Sequence, residues 1–182
     1  MSLPEVQKEK TIQPYPNILY VDTREPPIMM EKLAQLCPIP IEAKMLITGD
    51  YVCGDVGVER KSPNDFALSI IGQEKEHNGR LFTQSERLGK EFPHHYIFVT
   101  GTLDDITIHI HRHAVLGALA SVAAHGINVV FGLNNEDDFI YLLLKLLEKY
   151  KKIPKLVTLK AKTKHKKEIQ KPQETEVFVE SI

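Results

Sequence analysis

Asp50, Glu59 and Lys61 are the residues whose types and spacing point most directly to chemistry. They lie within residues 49–61, where two short apolar runs flank Gly54-Asp55, a pair of the kind that closes a tight hairpin. With those two residues as the loop, Cys53 pairs with Val56, Val52 with Gly57, Tyr51 with Val58 and Asp50 with Glu59. Opposed residues in an antiparallel pair share a face, their Cβ atoms roughly 5 Å apart. Period two then adds Lys61 to that face. Two carboxylates so close repel unless a cation lies between them, and hard oxygen donors select Mg²⁺ or Mn²⁺. A neighbouring ammonium can orient a water or hold a phosphate oxygen. The group reads as a metal-assisted phosphodiesterase. Its bland alternative is a surface hairpin carrying cross-strand charge pairs.

Gly49-Asp50 followed by Glu59-Arg60-Lys61-Ser62-Pro63-Asn64-Asp65 resembles the GD…ERKxxxD signature of the XPF-type structure-specific endonucleases, a branch of the PD-(D/E)xK nuclease superfamily. The resemblance covers residues 17–150. It implies an α/β chain folded as three layers, α/β/α, around a restriction-endonuclease-like mixed sheet. By the same resemblance Asp50 and Glu59 ligate Mg²⁺ or Mn²⁺, with Asp22 and the backbone carbonyl of Arg60 completing the set. Lys61 then positions or activates the attacking water. The segment Asp22-Thr23-Arg24-Glu25 resembles the family's VDxRE stretch, in which an acid and an arginine join the site. Arg24 is thereby expected to hold the scissile phosphate and Glu25 to support the site. A strand end running into a helix cap is the other reading of those charges. Ser62, Pro63 and Asp65 have the N-cap, N1 and N3 pattern of a capping box. The place of Asp65 in the family motif implies that it also braces the site, through Arg24 or Lys61.

Arg80, Gln84, Arg87 and Glu91 recur at helical spacing while Leu81, Phe82 and Leu88 face elsewhere. A stripe of arginine and glutamine suits phosphate and sugar contacts. The resembled family carries a glutamine and an Arg-Leu pair in this helix, matched by Gln84 and Arg87-Leu88. The substrate so implied is branched DNA, such as a 3′ flap, a splayed fork or a nicked junction, in repair, recombination or replication-fork processing. Two rivals are a catalytically silent partner subunit and another enzyme of the superfamily, a Holliday-junction resolvase or restriction-type nuclease. Tandem helix-hairpin-helix modules usually follow the nuclease domain in the family, and nothing after Pro154 has their glycine-containing pattern.

These residues need a frame. A chain of 182 residues, 42% hydrophobic and 26% charged, suits one globular domain and a tail. We expect a leader over 1–16, a nuclease domain over 17–150 and a Lys-rich tail over 151–182. Residues 1–150 carry 14 Lys/Arg against 20 Asp/Glu, whereas 151–182 carry nine Lys against four Glu. The domain is therefore not a basic DNA-binding surface as a whole, and local groups must do that work. No apolar run approaches a membrane span and the first eleven residues lack a signal core. An intracellular place is expected: cytoplasm or nucleoid in a prokaryote or archaeon, nucleus in a eukaryote. Cys37 and Cys53 have no metal spacing, as a reduced compartment allows.

The pattern predicts strands over 17–21 and 41–47, the hairpin, and strands over 96–101 and 128–133. Helices are predicted over 27–37, from Pro63 to residue 71, over 80–91 and over 114–124, the last packed on more than one side because its residues are small. His109, His111 and His113 lack zinc-like partners and read as surface or helix-start residues. The last helix, capped by Asn134 or Asn135, is apolar nearly all round. That surplus predicts a homodimer through residues 135–150, or a heterodimer with a related subunit, in keeping with the resembled family; the alternative is cover by the tail.

Overall fold

The computed structural model describes residues 17–71, 79–151 and 153–154. The expected leader, residues 72–78 and nearly all of the Lys-rich tail lie outside the described residues. Six strands form one sheet among these residues: β1 (Leu19–Asp22), β2 (Ile41–Lys44), β3 (Tyr51–Cys53), β4 (Val56–Lys61), β5 (His94–Val99) and β6 (Asn128–Val130). Their order is β2-β1-β3-β4-β5-β6. Neighbours are parallel except where β3 meets β1 and β4, so β3 alone runs against the rest. Five helices, α1 (Pro27–Leu36), α2 (Pro63–Ile71), α3 (Arg80–Glu91), α4 (Arg112–Ala124) and α5 (Glu136–Lys151), connect or follow the strands.

Period two divides the apolar residues of the sheet between two cores. Leu19, Val21, Tyr51, Val58 and Phe98 pack with Met29 and Leu33 of α1 and with Phe139, Ile140 and Leu143 of α5. Ile97 and Val99 point the other way, to Phe66 of α2, Leu81 and Leu88 of α3 and Val115 and Val122 of α4. The result is the expected three-layer α/β/α fold with a mixed central sheet. Each such side chain contributes about 1.5–3 kcal/mol when fully buried. None of the described helices is long and apolar enough to cross a membrane.

Three expectations are corrected by packing. β2 ends at Lys44, not at 47, and Met45–Gly49 becomes a loop leading to the hairpin. The small residues of α4 do not signal packing all round: Val115, Ala118 and Val122 are buried, while Gly117, Ala120 and Ala124 are exposed. In α5, Phe139, Ile140, Leu143, Leu144 and Leu147 are buried, and Leu142 and Leu146 pack partly against the same core. The apolar surplus expected there is mostly covered within the chain, leaving Tyr141 as the large apolar side chain exposed near its start.

The hairpin has the register read from Gly54-Asp55, with Tyr51 opposite Val58, Val52 opposite Gly57 and Cys53 opposite Val56. Gly54 takes a φ of +60°, which an L side chain adopts at a cost. Gly57 has another role. A Cβ there would run into the Phe92 ring, which lies on the strand. Gly57→Val is expected to displace Phe92 and to lower stability by about 1–3 kcal/mol, read as a lower urea midpoint.

Candidate active site

Since β1 and β4 both run against β3, their C-terminal ends lie at the edge where β3 begins. This topology gathers Asp22 from the end of β1, Asp50 from just before β3, and Glu59 and Lys61 from the end of β4. Asp50 is not a member of the ladder, which stops at Tyr51 and Val58. Gly49, with φ +74°, turns the chain so that the Asp50 N–H reaches the Val58 carbonyl at 2.8 Å. The simple cross-strand pairing of Asp50 with Glu59 therefore does not form. The Asp50 carboxylate instead accepts the Arg60 N–H through Oδ2 at 2.8 Å.

That carboxylate is in an uncomfortable place. Burial pushes its pKa up to about 7, and the negative charge of Glu59 adds to the shift. Lys61 is 6% exposed. Its Nζ donates to Gln84 Oε1 at 2.8 Å and to Glu59 Oε1 at 3.2 Å, and Gln84 Nε2 donates to the same Glu59 oxygen at 3.2 Å. Gln84 thus joins Lys61 and Glu59 in one hydrogen-bonded group. Arg80 and Arg87, from the same helix, are exposed.

Asp22 differs from the open ligand expected of it. Its Oδ1 accepts from the backbone N–H and Nε of Arg24, and its Oδ2 from Arg24 Nη2 and the Leu46 N–H, all within 2.7–2.8 Å. The Arg24 hydrogen bond outweighs burial and holds this carboxyl well below the usual carboxylate range. Four donors occupy the roughly four lone-pair directions of a carboxylate, so Asp22 anchors Arg24 and Leu46 here. Arg24 also donates to the Leu46 carbonyl at 3.0 Å, yet its side chain remains 68% exposed. Asp22 raises the Arg24 pKa further above its ordinary value, and Asp50 and Glu59 add to the effect from a distance.

Asp65 keeps to its own helix end. Ser62 Oγ donates to Asp65 Oδ2 at 2.7 Å and accepts the Asp65 N–H at 3.0 Å, in place of the expected brace to Arg24 or Lys61. Both cations already have the partners named above. Glu25 is the brace instead: its Oε2 accepts from Tyr51 Oη at 2.5 Å and from Arg60 Nε at 2.6 Å. The side chains of Tyr51 and Arg60 were missed by motif spacing. A signal existed, since a tyrosine at a core position needs a partner for its hydroxyl. Tyr51→Phe should cost about 1–2 kcal/mol in a denaturant titration and leave any cleavage within a few-fold, because Arg60 still holds Glu25.

No three His, Cys, Asp or Glu side chains among the described residues cluster as a metal cage. The donor set nevertheless suits one hard cation. Asp50 and Glu59 supply two carboxylates whose mutual repulsion a divalent ion would relieve. In an extended strand a residue's N–H and C=O point to the same edge, so the Arg60 carbonyl faces the Asp50 side along with its N–H. His111 caps α4 by accepting the His113 N–H, and both rings are exposed. A cavity of about 630 Å³ lies apart from these groups, between α3 and α4, lined by Phe82, Ser85, His95 and Val122.

This arrangement of a GD turn and an E-R-K strand end has counterparts. The family described as the ERCC4 domain matches residues 21–146. The chain belongs to that family. Over 134 residues the ERCC4-domain chain is 30% identical to the 3′-flap repair endonuclease Xpf of Saccharolobus solfataricus, a match covering 72% of this chain and 55% of that protein. It is also similar to the solved structure of XPF from Aeropyrum pernix, with 27% identity and a TM-score of 0.59, over 72% of this chain and 66% of that one. The same protein in complex with DNA matches with 27% identity and a TM-score of 0.54, over 73% and 66%. The chain spans about half the length of the curated relative it matches.

Proposed function

We propose that this ERCC4-domain chain is an Mg²⁺- or Mn²⁺-dependent DNA endonuclease cutting phosphodiester bonds near branches such as a 3′ flap, splayed fork or nicked junction. One observation carries the reading: a part-buried carboxylate, Asp50, meets the negative field of Glu59 at the sheet edge that also holds Lys61. Evolution tolerates such an arrangement where a cation or reacting group compensates it. Membership of the ERCC4 family and the name and DNA complex of its relatives point to the same activity.

Asp50, Glu59 and the Arg60 carbonyl would hold the ion, which when bound polarises a phosphoryl oxygen and acidifies water. Lys61 has three N–H donors, two of them engaged by Glu59 and Gln84. The third is available to place a water or a phosphate oxygen. The exposed part of Arg24 is suited to the scissile phosphate, and exposed Arg80 and Arg87 to neighbouring phosphates. Asp22 takes a positioning role, holding Arg24 and the loop at Leu46. Pairing with a second copy or a related subunit stays in the proposal, with Tyr141 and the part-buried Leu142 and Leu146 as its support on α5. A silent DNA-binding partner subunit is the second reading, favoured by the full engagement of both Asp22 oxygens.

Cleavage of end-labelled 3′-flap, fork, four-way and plain duplex DNA separates these readings. Cutting near the branch with Mg²⁺ or Mn²⁺, stopped by a chelator, is the expected result. Symmetric incision of the four-way junction alone would favour a resolvase, and binding at low salt without any cutting would favour the silent subunit.

A further inference from the structure

We infer that the loop tip Met45–Ile47 is an apolar contact for the unpaired base at a DNA branch, an inference resting on the nuclease reading above. Single exposed apolar residues are ordinary. Here two occur on one three-residue tip, Met45 at 75% and Ile47 at 88% exposure. The tip is fixed from both sides. Leu46, between them, donates its N–H to Asp22 Oδ2 at 2.8 Å and accepts from Arg24 Nη2 at 3.0 Å. Just before it, the Lys44 carbonyl accepts the Thr23 N–H at 3.2 Å. Just after it, Thr48 and Gly49 are buried.

An ordered apolar tip gains little from water, and its place says what it meets. Ile47 is three residues from Asp50, which bounds their Cα separation at roughly 11 Å. Arg24, the side chain suited to the scissile phosphate, is the one that clamps the tip. A substrate reaching Arg24 therefore brings its neighbouring nucleotides to Met45 and Ile47. Regular duplex offers phosphates and stacked base edges, to which two aliphatic side chains add little. At a branch a base face is unstacked, and it is the apolar surface such side chains cover, as wedging residues do elsewhere in nucleic-acid recognition. The tip thus reads branch structure, whereas Arg80 and Arg87 read backbone charge.

The test compares wild type with Met45→Ser/Ile47→Ser, using anisotropy on a 3′ flap and an equal-length duplex. A 2-aminopurine at the unpaired base beside the junction reports stacking. The substituted residues are solvent-exposed, so the variant should melt as wild type does. We expect its flap affinity to fall about tenfold with duplex affinity unchanged and the 2-aminopurine response lost. Equal loss on flap and duplex would overturn the inference by making the tip a general contact. Unchanged binding and unchanged 2-aminopurine signal, in a wild type that binds and cuts the flap, would overturn it alone and leave a protein partner as occupant. A change in sedimentation would assign the tip to a second copy and likewise overturn it. A folded wild type that neither binds nor cuts branched DNA would overturn the proposed function and this inference with it.

Discussion

Asp50→Asn should abolish cleavage and, in metal-free protein above pH 7, make the fold more stable. The two effects have one cause. Burial and the charge of Glu59 push the Asp50 pKa from its usual 3.8 to about 7. An acid with a raised folded-state pKa binds its proton more tightly in the native chain than in the unfolded one. Its ionisation therefore costs stability progressively as pH climbs from about 4 to about 7, and the loss persists above. Asparagine removes the charge and keeps an oxygen for the Arg60 N–H. A gain on the order of 1–3 kcal/mol at pH 8 is expected. Single-turnover cleavage should fall on the order of 10³-fold or more, corresponding to the several kcal/mol that metal-assisted stabilisation supplies. Denaturant midpoints at pH 5 and pH 8 read the first effect: wild type should weaken between them and the variant should not. A structural carboxylate would behave in the opposite way, its removal lowering stability at pH 8.

The second large effect is at Lys61. Lys61→Met preserves length and apolar stem while removing the ammonium between Glu59 Oε1 and Gln84 Oε1. We expect kcat on a flap substrate to fall 10²–10⁴-fold, the range for loss of a positioned proton-handling group, with KM changed only a few-fold. Lys61→Arg should not rescue it. A planar guanidinium cannot replace a compact ammonium held between two oxygens. A rise in KM with kcat preserved would instead make Lys61 a phosphate-binding residue and detach it from the chemical step.

Much of this was legible because local rules and tertiary structure agreed. Gly54-Asp55 set the hairpin register, and the register set which residues share a face, so Tyr51 and Val58 landed in one core and Glu59 and Lys61 beside Gln84 on the other side. The alternation of α3 placed Arg80 and Arg87 outward. What spacing did not reveal depends on where the backbone turns. β2 ends three residues early, and only then can the Leu46 N–H meet Asp22, converting an expected ligand into an anchor. The bend at Gly49 breaks the ladder at Asp50 and lets its carboxylate take the Arg60 N–H, a contact outside any pairing rule. Glu25 looked like an adjunct of the VDxRE stretch, but its partners Tyr51 and Arg60 lie 26 and 35 residues away. For a related reason the circumference of α5 did not show how much of it the chain itself covers: the apolar surface a helix has left depends on its neighbours.

Asp50 and Glu59 are the proposed cation site of this ERCC4-domain chain. Calorimetric titration of the intact chain with Mn²⁺ at pH 8 and pH 6 tests it without relying on cleavage. Since the ion needs the ionised carboxylate, affinity should drop about tenfold from pH 8 to pH 6, and Asp50→Asn or Glu59→Gln should each remove the binding. Mn²⁺ binding that is the same in wild type and in both variants would place any metal elsewhere and leave the carboxylate pair without its proposed role.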